Sequence, residues 1–172
     1  RAQLAFIGPQ WSEQGPQLLD RTQKEQQIQL EQRWEILKRG GGQLYCIPCQ
    51  QLEKAHLSEA VRKAETYLGT IDGIIHDARG SGAGMGTLLA HVEDQAIESH
   101  FAPLVNGLLG LQQIFKDRTL DFAIVLSSLS SFLGGITYGS YAAANALMDE
   151  ILLAKQEPFN HWRCLNLDRI SE

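Results

Sequence analysis

Asp121-Phe-Ala-Ile-Val-Leu126, then Ser127-Ser128, a Gly-containing loop and Tyr141-Ala142-Ala143-Ala144-Asn145 form the stretch on which the fold of this chain turns. The unbroken apolar run predicts a strand, and the Ala-rich run predicts a helix from about Ser140 to Lys155. That order places Ser128 at a strand's carboxyl end and Tyr141 on the following helix, both facing one crevice. In open α/β sheets, such crevices at strand carboxyl ends are where ligands bind. A serine and a tyrosine hydroxyl can each donate to the same carbonyl oxygen, so the pair can polarise a ketone.

Outward from this segment, strands and helices alternate. Gln3 to Ile7 predicts a strand stopped by Gly8-Pro9, and the Gln-rich residues 10–27 predict a solvated loop. Ile28, Leu30, Trp34 and Leu37 mark an amphipathic helix ended by Gly40-Gly41-Gly42, a C-cap signal. Leu44 to Ile47 is a second strand. Leu57, Val61, Ala64 and Leu68 stripe a second helix, and Ile71 to His76 is a third strand. One helix is expected from about Val92 to Phe115, with Ile97, Phe101, Val105, Leu108, Leu111 and Ile114 on its apolar face. A last strand falls at Arg163–Leu167. Alternation of this kind predicts an α/β fold, a doubly wound parallel sheet in a single domain over residues 1–172.

Composition bounds the function. The chain has 172 residues, 44% of them apolar, a net charge of −5 and a pI of about 5.5. It has no basic run, which argues against a nucleic-acid surface. No stretch approaches the roughly 20 apolar residues that span a bilayer. Three cysteines fit a reducing, cytoplasmic setting. Cys46-Ile47-Pro48-Cys49 spells a redox motif, but it flanks a strand end and not a helix N-terminus. Packing thiols are therefore preferred to redox or zinc chemistry. A start at Arg-Ala-Gln-Leu, without Met or leader, predicts a piece of something longer.

Gly80-Ser-Gly-Ala-Gly-Met-Gly86 follows a strand and invites a dinucleotide-loop interpretation, but the spacing fails: the G-x-G-x-x-G pattern meets Met85 or Thr87 where its third glycine belongs. A flexible connection is preferred. Ser128 could serve as a strand-end cap and Tyr141 as a packing residue; Asn145 inside a helix is mildly unfavourable without a reason.

Taken together, these segments resemble the short-chain dehydrogenase/reductase superfamily, and within it the ketoreductase domains of modular type I polyketide synthases. The resemblance rests on Ile71-Asp72-Gly-Ile-Ile-His76, on Phe101-Ala-Pro103 with Val105 and Gly107, and on Asp121-Phe122 through Ser127-Ser128. It rests above all on Tyr141-Ala-Ala-Ala-Asn145-Ala-Leu-Met-Asp149, because the polyketide branch carries Asn four residues after the Tyr, where free-standing relatives carry Lys. It covers about Gln3 to Asn166 and implies a Rossmann-like sheet. It also implies reduction by NADPH of a β-ketoacyl thioester held on an acyl carrier protein, beside neighbouring synthase domains. Ser128, Tyr141 and Asn145 would be catalytic; His76, Ala78 and Gly80 would line the cofactor.

The chain departs from that family at several places. It is expected to lack the first strand with its Gly-rich turn, and the C-terminal lid. Pro9-Gln10 stands where an Arg for the 2′-phosphate is usual, and Gln50 or Gln51 where an acidic residue meets adenine. Asp77 and Arg79 bring bulk beside the cofactor path, Leu104 stands at the active-site lysine, and Leu167-Asp168-Arg169 replaces the usual Trp-Gly-Pro. The expected function is therefore a ketoreductase-type domain degenerate in cofactor binding and kept as a structural or docking element, with no cofactor. The alternative is an active NADPH-dependent reductase completed by sequence beyond this chain. Non-redox proton transfer by the same hydroxyl pair is a third possibility.

Overall fold

The structure is a computed structural model describing residues 3–16, 24–50, 52, 54–78, 87–154 and 161–168. The chain falls into two units, Arg1–Ile71 and Asp72–Glu172. Both are built from parallel strands and helices, as the alternating pattern predicts.

In the first unit, β1 (Gln3–Gly8) pairs in parallel with β4 (Gln43–Pro48), from Gln3 opposite Gln43 to Gly8 opposite Pro48. Between them lie a short antiparallel hairpin, β2 (Trp11–Ser12) with β3 (Gly15–Pro16), and helix α1 (Lys24–Arg39). The hairpin corrects the expectation of a solvated loop at residues 11–16, and α1 takes up 24–27; residues 17–23 lie outside the described residues. Trp11, Phe6 and Trp34 form an aromatic cluster with ring centroids 4.8–5.7 Å apart, and Gly15 and Pro16 are buried. Tryptophan anchoring outweighs the polar composition around it. Helix α1 closes at Gly41, whose φ of 80° is left-handed and suits glycine. Helix α2 (Lys54–Leu68) packs its Ala60 and Ala64 on Ile47 and Cys49 of the β4 end. Cys46 is half-buried and Cys49 buried, and neither is in a disulfide.

In the second unit the strand order is β5 (Gly73–His76), β6 (Phe122–Ser128), β7 (Trp162–Leu167), all parallel. Their carboxyl ends therefore share one edge. Helix α6 (Gly139–Leu153) packs on β6 and β7 and against α3 (Asp94–Phe101). The helix expected over Val92–Phe115 is broken: a π-helical turn, Ala102–Asn106, separates α3 from α4 (Gly107–Phe115). Pro103 lacks the N–H needed for a regular α-helical bond, and the Gly107 N–H reaches back to the carbonyl of Ala102. One extra residue per turn rotates the buried stripe. It runs His100, Leu104, Leu108, Leu111, Phe115, while the expected Ile97 is exposed. The loop expected after Ser128 contains a further short helix, α5 (Ser130–Leu133).

Candidate active site

Ser128 is the last residue of β6, and Tyr141 lies in the first turn of α6, which packs on that strand. The Ser128 Oγ accepts both the Ser130 backbone N–H at 3.1 Å and the Ser130 hydroxyl at 2.9 Å. With both lone pairs occupied, its own O–H is left to donate, the role that polarising a carbonyl requires. Tyr141 is half-buried. Leu89, from the short 3-10 turn Leu89–His91, lies over the start of α6: a Cβ added at Gly139 would meet its Cδ1 at 2.8 Å.

Asn145 lies on α6, four residues after Tyr141. It is 1% exposed, and both ends of its amide are used inside the protein. Nδ2 donates to the Tyr141 carbonyl at 2.8 Å, and Oδ1 accepts the Ser127 hydroxyl at 3.3 Å. The side chain thus bonds α6 to β6 and holds the backbone that carries the phenol. This gives a polar residue in a helix interior a physical reason to be there.

A second polar group continues the network, and sequence inspection missed it. Asn166 Nδ2 has Asp149 Oδ2 at 2.8 Å, Ser131 Oγ at 3.1 Å, Ser127 Oγ at 3.3 Å and the Ser128 carbonyl at 3.4 Å. Two hydrogens cannot serve four acceptors at once, so the shorter contacts to Asp149 and Ser131 dominate. The Cys164 thiol donates to Asp149 Oδ1 at 2.9 Å, and burial together with that carboxylate pushes the thiol's pKa up to about 12. The available signal was the alternation in Cys164-Leu165-Asn166-Leu167, where every second residue points polar atoms toward α6.

Of the residues expected to line a cofactor, His76 and Ala78 fall at the end of β5. His76 is buried, and its Nε2 lies 3.0 Å from the Leu104 carbonyl. Burial pushes its pKa down, against the opposing pull of that carbonyl and of Asp77. Ala78 follows β5 and is half-buried. Gly80, Arg79, Gln51 and the glycine loop 80–86 lie outside the described residues, as does Arg169. Leu104 is 1% exposed, in the core stripe of the π turn. At the end of β1, the Gln10 amide lies against Gly8, where a Cβ would meet its Oε1 at 2.8 Å. Neither Leu104 nor Gln10 carries a cationic side chain. No group of three or more potential metal ligands occurs among the described residues, and no helix among them is long and apolar enough to cross a membrane.

The KR domain family model matches residues 14–170. A polyketide synthase, PksN of Bacillus subtilis, is 35% identical over 96 residues, covering 56% of this chain and 2% of its own length. The 6-methylsalicylic acid synthase of Aspergillus niger is 31% identical over 121 residues, covering 70% of this chain and 7% of its own length. This chain therefore spans less than a tenth of either relative. Among solved structures, a ketoreductase domain from the bacillaene assembly line superposes with a TM-score of 0.69 at 22% identity, covering 98% of this chain and 38% of that one. The NADH-dependent reductase A1-R′ complexed with NAD superposes with a TM-score of 0.65 at 20% identity, covering 77% and 59% of the two chains. At these identities the structures show a shared Rossmann-like fold.

Proposed function

This chain belongs to the KR domain family, as a ketoreductase domain of polyketide synthases within the short-chain dehydrogenase/reductase superfamily; from that premise we propose that it is a degenerate member, impaired in nicotinamide binding and kept as a structural or docking element of a larger synthase. The observation that carries this is Leu104. An apolar side chain, 1% exposed, occupies the place where the family resemblance calls for the lysine that binds the nicotinamide ribose and assists the tyrosine. The neighbouring backbone is engaged as well, because the Leu104 carbonyl is bonded to His76. Pro9-Gln10 in place of a guanidinium and the charged Asp77 beside β5 support the same conclusion.

On this reading, the partners are the neighbouring synthase domains and an acyl carrier protein, and the setting is cytoplasmic. Ser128 with a free O–H and a half-buried Tyr141 favour a second reading, in which NADPH reduces a β-ketoacyl thioester on the carrier. The two are separated by following NADPH absorbance in the presence of a β-ketoacyl thioester. Degeneracy predicts no consumption above the background of a Tyr141→Phe variant. Turnover that this substitution abolishes overturns it.

A further inference from the structure

His100 is a feature that neither reading of the function uses. It lies on α3, one helical turn before Leu104, in the core stripe where an apolar residue is expected, and it is 1% exposed. Its Nδ1 lies 3.0 Å from the buried Ser140 Oγ, and its ring meets the Tyr141 ring at 67° with centroids 5.7 Å apart. One imidazole thus touches two consecutive residues of the first turn of α6, from a different helix. Its Nε2 is buried and has no hydrogen-bond partner.

An apolar side chain would fill the same space without orphaning a ring nitrogen, and buried polar atoms without partners are uncommon and costly. A residue kept for volume alone has no use for that nitrogen. Nδ1, anchored to Ser140, fixes the rotation of the imidazole, and the fixed ring sets its edge-to-face packing on the phenol, a geometry that aromatic pairs prefer.

We propose that His100 is a positioning residue for Tyr141: clamped to Ser140, it sets the orientation of the phenol from behind. Burial holds its pKa below the usual histidine range against the pull of the Ala96 carbonyl, so the clamp is neutral near pH 7 and introduces no buried charge. The Asn145 bond to the Tyr141 carbonyl fixes the backbone of this residue, and His100 fixes its ring. The inference depends on the family assignment for the importance of Tyr141, and is independent of whether a cofactor binds.

The test is aromatic NMR of the chain with ¹³C-labelled tyrosine. Four tyrosines are present, and Tyr141→Phe assigns the Tyr141 signals. His100→Leu is expected to shift the Tyr141 ring resonances and to speed its ring flips. The stacked Tyr45 and Tyr67 pair of the first unit should stay in place. His100→Phe, which restores an aromatic ring but not the bond to Ser140, is expected to recover slow flipping only in part. Ser140→Ala, which releases the clamp and leaves the imidazole, should give an intermediate shift, and it decides the matter if His100→Leu does not fold. Tyr141 resonances unchanged in a folded His100→Leu or Ser140→Ala variant would overturn the proposal. So would Tyr45 and Tyr67 moving as far as Tyr141. A saturable NADPH complex would sink the degenerate reading and leave this clamp intact.

Discussion

Restoring the family's lysine by Leu104→Lys should damage this protein without repairing it. Leu104 is buried in the stripe formed with His100 and Leu108. Removing it forfeits the burial of a leucine, about 1.5–3 kcal/mol, which the lysine stem partly recovers. The ammonium then sits beside buried carbon without a carboxylate partner among the described contacts of that turn. Such burial depresses a lysine pKa by up to about 3–5 units, which at pH 7, about 3.4 units below the free lysine value, costs about 4–5 kcal/mol. A net loss of about 4 kcal/mol is a large share of the roughly 5–15 kcal/mol that domains possess. For a chain of this size it lowers Tm by about 8–16 °C. The sign with pH is diagnostic. The depressed lysine binds fewer protons in the native than in the unfolded state, so the deficit should narrow as pH rises from 7 toward 10. Thermal melts of parent and variant at both pH values are the assay. The reasoning is refuted if the variant melts within about 2 °C of the parent at pH 7 and gains NADPH binding. That result would mean the position opens onto space prepared for a cation.

Asn145→Leu removes an acceptor from Ser127 and a donor from the Tyr141 carbonyl; it should cost about 1–3 kcal/mol in urea unfolding, and a loss below about 0.5 kcal/mol would contradict the network described here. Burial lowers the pKa of both His76 and His100. The unfolded chain therefore binds more protons below the free histidine value of about 6.5, and stability should fall as pH drops from about 6.5 through the native values. His76→Asn should flatten that acid limb, and an unchanged limb would show that burial at this site is not the cause. Cys164, its thiol pushed up to about 12, should be alkylated at pH 8.5 about a thousandfold more slowly than in the unfolded chain. Peptide mapping that finds it modified as fast as under denaturant contradicts the Asp149 contact.

Much of the second unit was legible because its signals are local. The apolar run from Phe122 needs no partner to read as a strand, and Ser128 and Tyr141 fall on the predicted elements. The hairpin from Trp11 to Pro16 was hidden because its stability comes from Phe6 and Trp34, distant in sequence, against a polar local composition. The π turn was illegible to a fixed helical period: one proline shifts the phase, and a stripe drawn through Ile97 and Phe101 passes beside the buried His100 and Leu104. For the same reason, Leu104 was identified by family spacing, and its neighbour one turn earlier went unnoticed. Asn145 was legible as a site residue, but the direction of its amide depends on Ser127 across the sheet, which no spacing specifies.

The central claim is that a hydroxyl pair persists here without the groups that hold a nicotinamide beside it. Titrating NADPH against thermal unfolding of the chain tests it most directly, since a ligand at 100 times its Kd stabilises by about 2.7 kcal/mol. The account predicts a melting temperature that does not respond to NADPH up to millimolar concentration. A saturable rise, reversed by competing oxidised cofactor, would contradict it.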